Sequence, residues 1–250
     1  MTPLFCPAPI LQVDAFPPTH AAGGHLLLSF VPVALSAATV SHVQSNYATP
    51  QSPQTTVTVA FLGAQIAGDL NVVVGWNDTS ATVTGVVDQT GNTYAPAVGP
   101  TAANGLSQSI YYAKNIAAAA AGANRVTVTF STAAAYPDVR IVEYSGSDRS
   151  NPIDVAAASS GNNASSSSGS ATTTNSIDLL FGANIVATLT SGPGSGFTAR
   201  LLTSPDGDIA EDRTVRAATA PRRLSPHPGR GSCKWLPSVR LRVRQRLVSR

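Results

Sequence analysis

Residues 125–130 read Arg-Val-Thr-Val-Thr-Phe, and this short stretch decides the fold class. From Val126 onward, an apolar residue occupies every second position and threonine lies between. Successive side chains of a β-strand point to opposite faces, so the alternation predicts a strand with one buried and one exposed face. The same period recurs in residues 56–61 and 70–76, where it again predicts strands.

Outward from this stretch, similar runs rich in Val, Thr, Ile and Tyr are separated by Gly, Pro, Asn and Asp. They predict strands near residues 39–45, 55–62, 69–76, 82–88, 92–96, 107–113, 124–131, 138–145, 177–187, 197–202 and 208–213. Repeated short strands of this kind favour an all-β fold, an antiparallel β-sandwich of jelly-roll or immunoglobulin-like type with about ten strands.

The connections between these strands have their own signatures. Gly91-Asn92 predicts a hairpin turn, because both residue types tolerate a positive φ. The alanines at 117–121 are followed by Gly122, so we expect a loop or a single turn there instead of a helix. Residues 159–176 are mostly Ser and Thr, which is typical of a flexible surface connection inside one domain.

Charge divides the 250-residue chain into two parts. Residues 1–212 hold all 13 acidic residues and five of the 16 basic ones, a net charge of −8, whereas residues 213–250 hold eleven basic residues and no acidic one. The segmentation predicts a β-sandwich domain over 39–212 and a basic, disordered tail over 213–250. The acidic body argues against a nucleic-acid-binding fold.

Two interpretations of the tail stay open. Its Arg, Pro and Ser bias is typical of GC-rich coding DNA read out of frame, in which case a final strand is missing from the chain. Alternatively the tail is genuine and binds nucleic acid or an anionic surface. We expect no nucleic-acid partner unless the tail is genuine.

The first 38 residues are also set apart from the fold. Residues 25–38 are apolar and end in small residues, as in a secretion signal, but no Lys or Arg precedes them. A secretion signal and a disordered leader are therefore both open. No apolar run reaches the roughly 18 residues that a membrane span needs.

Several stretches together resemble a known group. They include SNYATPQSPQTTVTVAF, DLNVVVGW, VVDQTGNTYAPA, VRIVEYSG and DGDIAEDR, within residues 40–212. They are similar to uncharacterised secreted bacterial β-sandwich modules that occur alone or beside immunoglobulin-like and PKD-type repeats in surface proteins. The resemblance implies an extracellular β-sandwich and no catalytic residue. In that group an apolar strand usually follows the last of these motifs.

Catalytic signatures are scarce. There is no G-x-S-x-G, Walker or H-E-x-x-H motif, and the one histidine of the body, His42, is expected to be a structural or surface residue. Glycoside hydrolysis needs two carboxylates about 5–10 Å apart. Glu143 is the candidate, with Glu211 or Asp212 as its partner. The alternatives are that Glu143 forms an ion pair with Arg140 or Arg200, or that it faces water. We expect no catalysis.

One acidic cluster suggests a metal site. Asp206, Asp208, Glu211 and Asp212 surround Gly207, and hard oxygen ligands near a glycine turn suit Ca²⁺. The spacing is not that of an EF-hand. The alternative is a polar turn that leads into a strand.

Aromatic residues at a strand end suggest sugar binding, because ring faces stack on the C–H surfaces of sugars. Trp76, Asn77 and Tyr112 are the candidate ligand-binding residues, with core packing as the alternative. The sequence thus predicts an extracellular structural or binding module of a bacterial surface protein. Its expected partners are extracellular polysaccharides or neighbouring domains, and the open alternatives are a carbohydrate-binding module and a glycan-active enzyme.

Overall fold

The computed structural model describes residues 36–37, 39–162, 164–172, 174–216, 238–244 and 247–248. These residues form fifteen strands and no helix. In chain order the strands are β1 (Ser36–Ala37), β2 (Ser41–Ala48), β3 (Gln54–Ala60), β4 (Leu70–Asp78), β5 (Val83–Asp88), β6 (Ala95–Ala103), β7 (Leu106–Lys114), β8 (Arg125–Ala134), β9 (Asp138–Ser145), β10 (Ile153–Ser159), β11 (Ile177–Ala183), β12 (Thr198–Leu202), β13 (Ile209–Arg216), β14 (Ser238–Arg244) and β15 (Leu247–Val248).

The strands pair into open sheets, and every pairing is antiparallel. Sheet A has the order β2-β9-β4-β7-β6, sheet B β10-β14-β11-β13-β12, and sheet C β3-β8-β5, while β1 and β15 form a separate short pair. The packed all-β architecture confirms the predicted β-sandwich class. No helix long and apolar enough to span a membrane occurs among the described residues.

Sheet A lies between the other two sheets. Leu70, Val72 and Val74 on β4 pack with apolar residues of sheet B, whereas Val73 packs with those of sheet C. The three consecutive valines are fully buried. A strand covered on both faces needs apolar residues at consecutive positions, which is why β4 reads Val-Val-Val where β8 alternates.

The predicted boundary at residue 212, between the β-sandwich domain and a disordered tail, is wrong. β13 continues to Arg216, and residues 238–244 form β14, which lies between β10 and β11 inside sheet B. Val243 of this strand is fully buried in the core between sheets A and B, opposite Leu179. Strand pairing on both sides satisfies the backbone of β14, so this part of the basic tail is not disordered.

The possible frameshift is a separate matter and stays a prediction. Resequencing the source DNA across codons 205–250 would test it. The predicted leader lies mostly outside the described residues, apart from Ser36–Ala37, which pairs with Leu247–Val248.

Two segments differ from expectation. Gly91 adopts the predicted positive φ of 77°, but the turn joins β5 of sheet C to β6 of sheet A, so it is not a hairpin. Residues 153–159, Ile-Asp-Val-Ala-Ala-Ala-Ser, form β10, which the sequence did not predict. Alanine is depleted in strands, so this run carries no clear strand signature.

A buried arginine connects sheets A and B. The Nε atom of Arg140 donates to Asp138 Oδ1 at 2.8 Å, and its Nη1 atom donates to the carbonyl oxygens of Asn184 and Ile209 at 2.8 and 2.9 Å. Its Nη2 atom donates to Gln108 Oε1 at 3.2 Å. Because Arg140 and Asp138 are inaccessible to solvent, these bonds replace the water that the charges would otherwise bind.

A second carboxyl group, Asp208, lies near the same guanidinium. Burial raises the pKa values of Asp138 and Asp208, and the positive charge of Arg140 opposes both shifts. The backbone N–H of Val186 donates to Asp208 Oδ1 at 2.8 Å. The cluster therefore connects the end of β11 and the start of β13 to the start of β9.

Candidate functional site

A polar cleft opens at one end of the interface between sheets A and B. Its volume is about 450 Å³, within the size range of small-molecule sites. Residues 39–42 line one side, residues 212–214 line another, and Gly196, Thr198 and Arg200 contribute from β12 and the preceding loop. The lining therefore comes from chain segments more than 150 residues apart.

An ion pair forms part of the cleft wall. Arg200 donates from Nε to Asp212 Oδ2 at 2.7 Å and from Nη2 to Asp212 Oδ1 at 2.8 Å. The Tyr144 hydroxyl donates to Asp212 Oδ2 at 2.9 Å. Hydrogen bonding to Asp212 raises the pKa of Arg200. The Asp212 carboxylate therefore accepts three hydrogen bonds from side chains of the protein itself.

His42 lies beside this ion pair as a neutral imidazole. Its ring packs edge-on against Tyr144, with 5.9 Å between ring centroids. Burial lowers the pKa of His42, the nearby Arg200 charge lowers it further, and Asp212 opposes these effects. The histidine expected to be structural thus packs against the core and also lines the cleft.

Arg213 is also a lining residue of the cleft, but it follows Asp212 directly on β13, so its side chain extends to the other side of sheet B. Arg213 lies over the Phe197 ring, with Cζ 5.9 Å from the ring centroid. Its Nη1 atom donates to the Ser195 carbonyl oxygen at 3.4 Å, a long bond. Gly196 lies against the guanidinium, since an added Cβ would be 3.2 Å from Nη1. The Arg213 guanidinium is therefore held against the loop that precedes β12.

The predicted calcium ligands are not brought together. Glu211 and Asp212 are adjacent on β13 and so face opposite sides of sheet B. Glu211 accepts from the Gly194 N–H at 2.7 Å, Asp208 is buried beside Arg140, and Asp206 accepts from Gln51 at 3.1 Å. In the described part of the chain, no group of three or more His, Cys, Asp or Glu side chains is arranged to hold a metal ion. The segment is a polar turn leading into β13.

Glu143 has a different partner from those predicted. It is fully buried and faces sheet C, on the opposite side of β9 from Tyr144 and Asp212. Gln44 Nε2 donates to Glu143 Oε2 at 2.6 Å, and the Asp69 carboxyl interacts with Glu143. The predicted pairings with Glu211, Asp212, Arg140 and Arg200 are therefore wrong.

The carboxyl group of Asp69 titrates at an unusual pH. Burial, the charge of Glu143 and a hydrogen bond with Glu143 together raise the pKa of Asp69 to about 6, against the effect of Arg149. A raised pKa means that the folded protein holds this proton more tightly than the unfolded chain. Folding stability is therefore reduced as pH rises from about 4 through 6.

Replacing Asp69 with asparagine removes this penalty. We expect the variant to melt a few degrees above the parent at pH 8 and to show a clearly smaller advantage at pH 5, where only part of the penalty is present, as measured by thermal unfolding at both pH values. The pKa of His42 is also shifted, but its effect on stability is the same in the parent and in the variant, so it cancels in the comparison.

The matched control for that experiment is Asp88→Asn. Hydrogen bonds from Asn124, Asn92 and Tyr94 lower the pKa of Asp88, against the opposing effect of burial. Its titration therefore lies below pH 4, and the variant should lose the same stability at pH 5 and at pH 8. An Asp69→Asn advantage that is equal at the two pH values would contradict the assignment.

The predicted aromatic ligand site is not an open surface. Trp76 is 7% exposed and packs with Ile185, Ala103 and Leu106, so its ring face is not available to a sugar. Tyr112 is half-buried and packs against the core between sheets A and B. Asn77 lies in β4, and its side chain is outside the description. Core packing, the alternative interpretation, explains Trp76.

Comparison of the chain with protein-family models, with curated proteins and with solved structures gives no match. The resemblance to secreted bacterial modules therefore stays a prediction.

Proposed function

We propose that this protein is a non-catalytic ligand-binding module that works outside the bacterial cell, as part of the surface or secreted machinery. The observation that carries the proposal is the polar cleft at residues 39–42, 196–200 and 212–214. Its lining consists largely of hydroxyl and guanidinium groups, which bind polar ligands by hydrogen bonding.

The hydrogen bonds that Asp212, the carboxylate of the cleft, accepts from the protein favour binding over catalysis. General acid or base catalysis requires a group that can exchange a proton with the substrate near the working pH. Asp212 is instead occupied by Tyr144 and by two donors of Arg200. The other carboxyl candidate, Glu143, is enclosed between sheets A and C.

The composition supports an extracellular location. Residues 39–212 contain no cysteine and one lysine, Lys114, and they are rich in Ser, Thr and Asn.

The ligand class that fits hydroxyl and guanidinium donors at an extracellular surface is a polysaccharide. We therefore propose, more specifically, that the protein is a carbohydrate-binding module.

Calorimetric titration of the full chain with soluble polysaccharides, neutral and acidic, tests the proposal. We expect saturable binding to at least one of them, with no new reducing ends after prolonged incubation. Ser41→Trp would place an indole at the exposed cleft rim and should weaken that binding. Turnover of the polysaccharide, or the absence of binding to every polymer, would refute the proposal.

A further inference from the structure

We infer that the carboxylates of Asp69 and Glu143, enclosed between sheets A and C, bind a calcium ion. The site lies on the other side of sheet A from the cleft, so the inference goes beyond the proposed function and does not depend on it. The evidence is the placement of the two carboxylates, their unpartnered oxygen atoms and the chemistry of those oxygens.

The strand register places both carboxylates on one face of sheet A. Asn71 of β4 pairs with Glu143 of β9, and Asp69 precedes Asn71 by two residues. Because Asp69 leads directly into β4, and side chains two residues apart point to the same face, Asp69 and Glu143 both face sheet C. The two carboxyl groups interact there. Two negative charges are therefore brought together inside the protein.

Each carboxylate has a buried oxygen atom without a partner. Glu143 is fully buried and Asp69 is 7% exposed. Glu143 Oε2 accepts a hydrogen bond from Gln44, but Glu143 Oε1 and Asp69 Oδ2 have no hydrogen-bond donor among the described residues. Neighbouring buried carboxylates repel each other unless a positive group joins them. A shared proton or a bound cation supplies that positive charge.

The protein itself does not neutralise the pair. In the part of the chain that the structure describes, neither carboxylate belongs to an ion pair. The charge of Arg149 acts on Asp69, but its guanidinium lies against Gly68 and donates to the Ala67 carbonyl oxygen at 3.3 Å. Arg149 therefore reduces the repulsion without pairing with either carboxylate.

Buried amide groups beside the pair donate to other partners. Gln65 Nε2 donates to Asn71 Oδ1 at 2.9 Å, and Asn71 Nδ2 donates to the Tyr94 hydroxyl at 3.2 Å. Asn124 Nδ2 donates to Gln65 Oε1 at 2.6 Å. These groups bond to one another, and the two unpartnered carboxylate oxygens are left to a ligand from outside the chain.

Oxygen ligands of this kind suit calcium. Ca²⁺ binds carboxylate oxygens, carbonyl oxygens and water, and it tolerates irregular geometry. Mg²⁺ requires near-octahedral geometry and retains several water molecules, which an enclosed site accommodates poorly. The pair supplies two carboxylates, so carbonyl oxygens or water would complete the coordination.

The test is thermal unfolding of the full chain at pH 8, in EDTA and in increasing concentrations of CaCl₂. We expect the melting temperature to rise by about 5 °C once calcium is about a hundredfold above its Kd, because the ion binds the folded state only. Equal concentrations of MgCl₂ should give less than half of this shift. Calorimetric titration should show one calcium ion per chain.

Asp69→Asn keeps the size of the side chain and removes one charge, so it should abolish the calcium-dependent shift. Glu143→Gln is the second variant of the same site and should do the same. Asp206→Asn is the matched control, since Asp206 belongs to the acidic stretch at 206–212 and accepts a hydrogen bond from Gln51. We expect it to keep the parental shift. Melting in EDTA establishes that each variant is folded, and if one variant of the pair is not, the other decides.

Three results would overturn the inference: no shift of the parent with calcium, an equal shift with magnesium, or a parental shift in a folded Asp69→Asn or Glu143→Gln variant. Loss of the shift in Asp206→Asn alone would assign calcium to the acidic stretch and overturn it as well. None of these results bears on polysaccharide binding in the cleft, so the proposed function is tested separately.

Discussion

Replacing Arg140 with methionine is expected to lower the free energy of unfolding by about 3–5 kcal/mol, because it leaves buried charge and buried carbonyl groups without a partner. Asp138 would lose its ion pair at 2.8 Å, and the carbonyl oxygens of Asn184 and Ile209 would each lose a hydrogen bond. Methionine fills a similar volume, so the loss reports on the polar contacts more than on a cavity.

The measurement is urea unfolding of the parent and the variant, followed by circular dichroism. A matched control is Arg125→Met, since Arg125 is exposed at the start of β8 and its replacement should change stability by less than about 0.5 kcal/mol. The double variant Arg140→Met/Asp138→Asn should recover part of the loss, because it removes the unpaired charge. A loss below about 1 kcal/mol for Arg140→Met would contradict the proposed role of Arg140 in joining the sheets.

The second large effect is expected at Val243. Replacing it with aspartate places a carboxylate in the core between sheets A and B, where Val243 is fully buried, and we expect cooperative unfolding to be lost. Val243→Ala is the milder variant and should cost about 2 kcal/mol through lost burial and a cavity. Thermal unfolding followed by circular dichroism measures both.

Val87→Asp is the control for this substitution. Val87 lies in β5 and is 59% exposed, so a carboxylate there remains hydrated and should be tolerated. If residues 238–244 were an unstructured tail, neither Val243 variant would change stability. The comparison therefore tests whether β14 belongs to the folded protein.

The alternation of apolar and polar residues was informative wherever one face of a strand is buried. β8 and β3 were predicted within a few residues because Val126, Val128, Val57 and Val59 share a buried face. The prediction failed for β14, although Val239, Leu241 and Val243 alternate with arginine. The strongly basic composition around these residues outweighed a period that spans only seven positions.

The candidate site was much less predictable. Asp212 was identified as a candidate, but as a calcium ligand and as a partner of Glu143. Its actual partners, Tyr144 and Arg200, lie 68 and 12 residues away along the chain. Arg213 and Thr198 carry no sequence signature at all, since the cleft forms only where the ends of three strands meet.

By itself, the sequence determined the fold class, the approximate positions of most strands and the acidic character of the body. These properties depend on local periodicity and composition, which can be read residue by residue. Only the tertiary structure decided that sheet A is covered on both faces, that β14 lies inside sheet B, and that Glu143 and Asp212 face opposite sides of one sheet. The physical reason is that strand order is set by pairing between distant segments, and this order decides which polar groups are enclosed together and which line an open cleft.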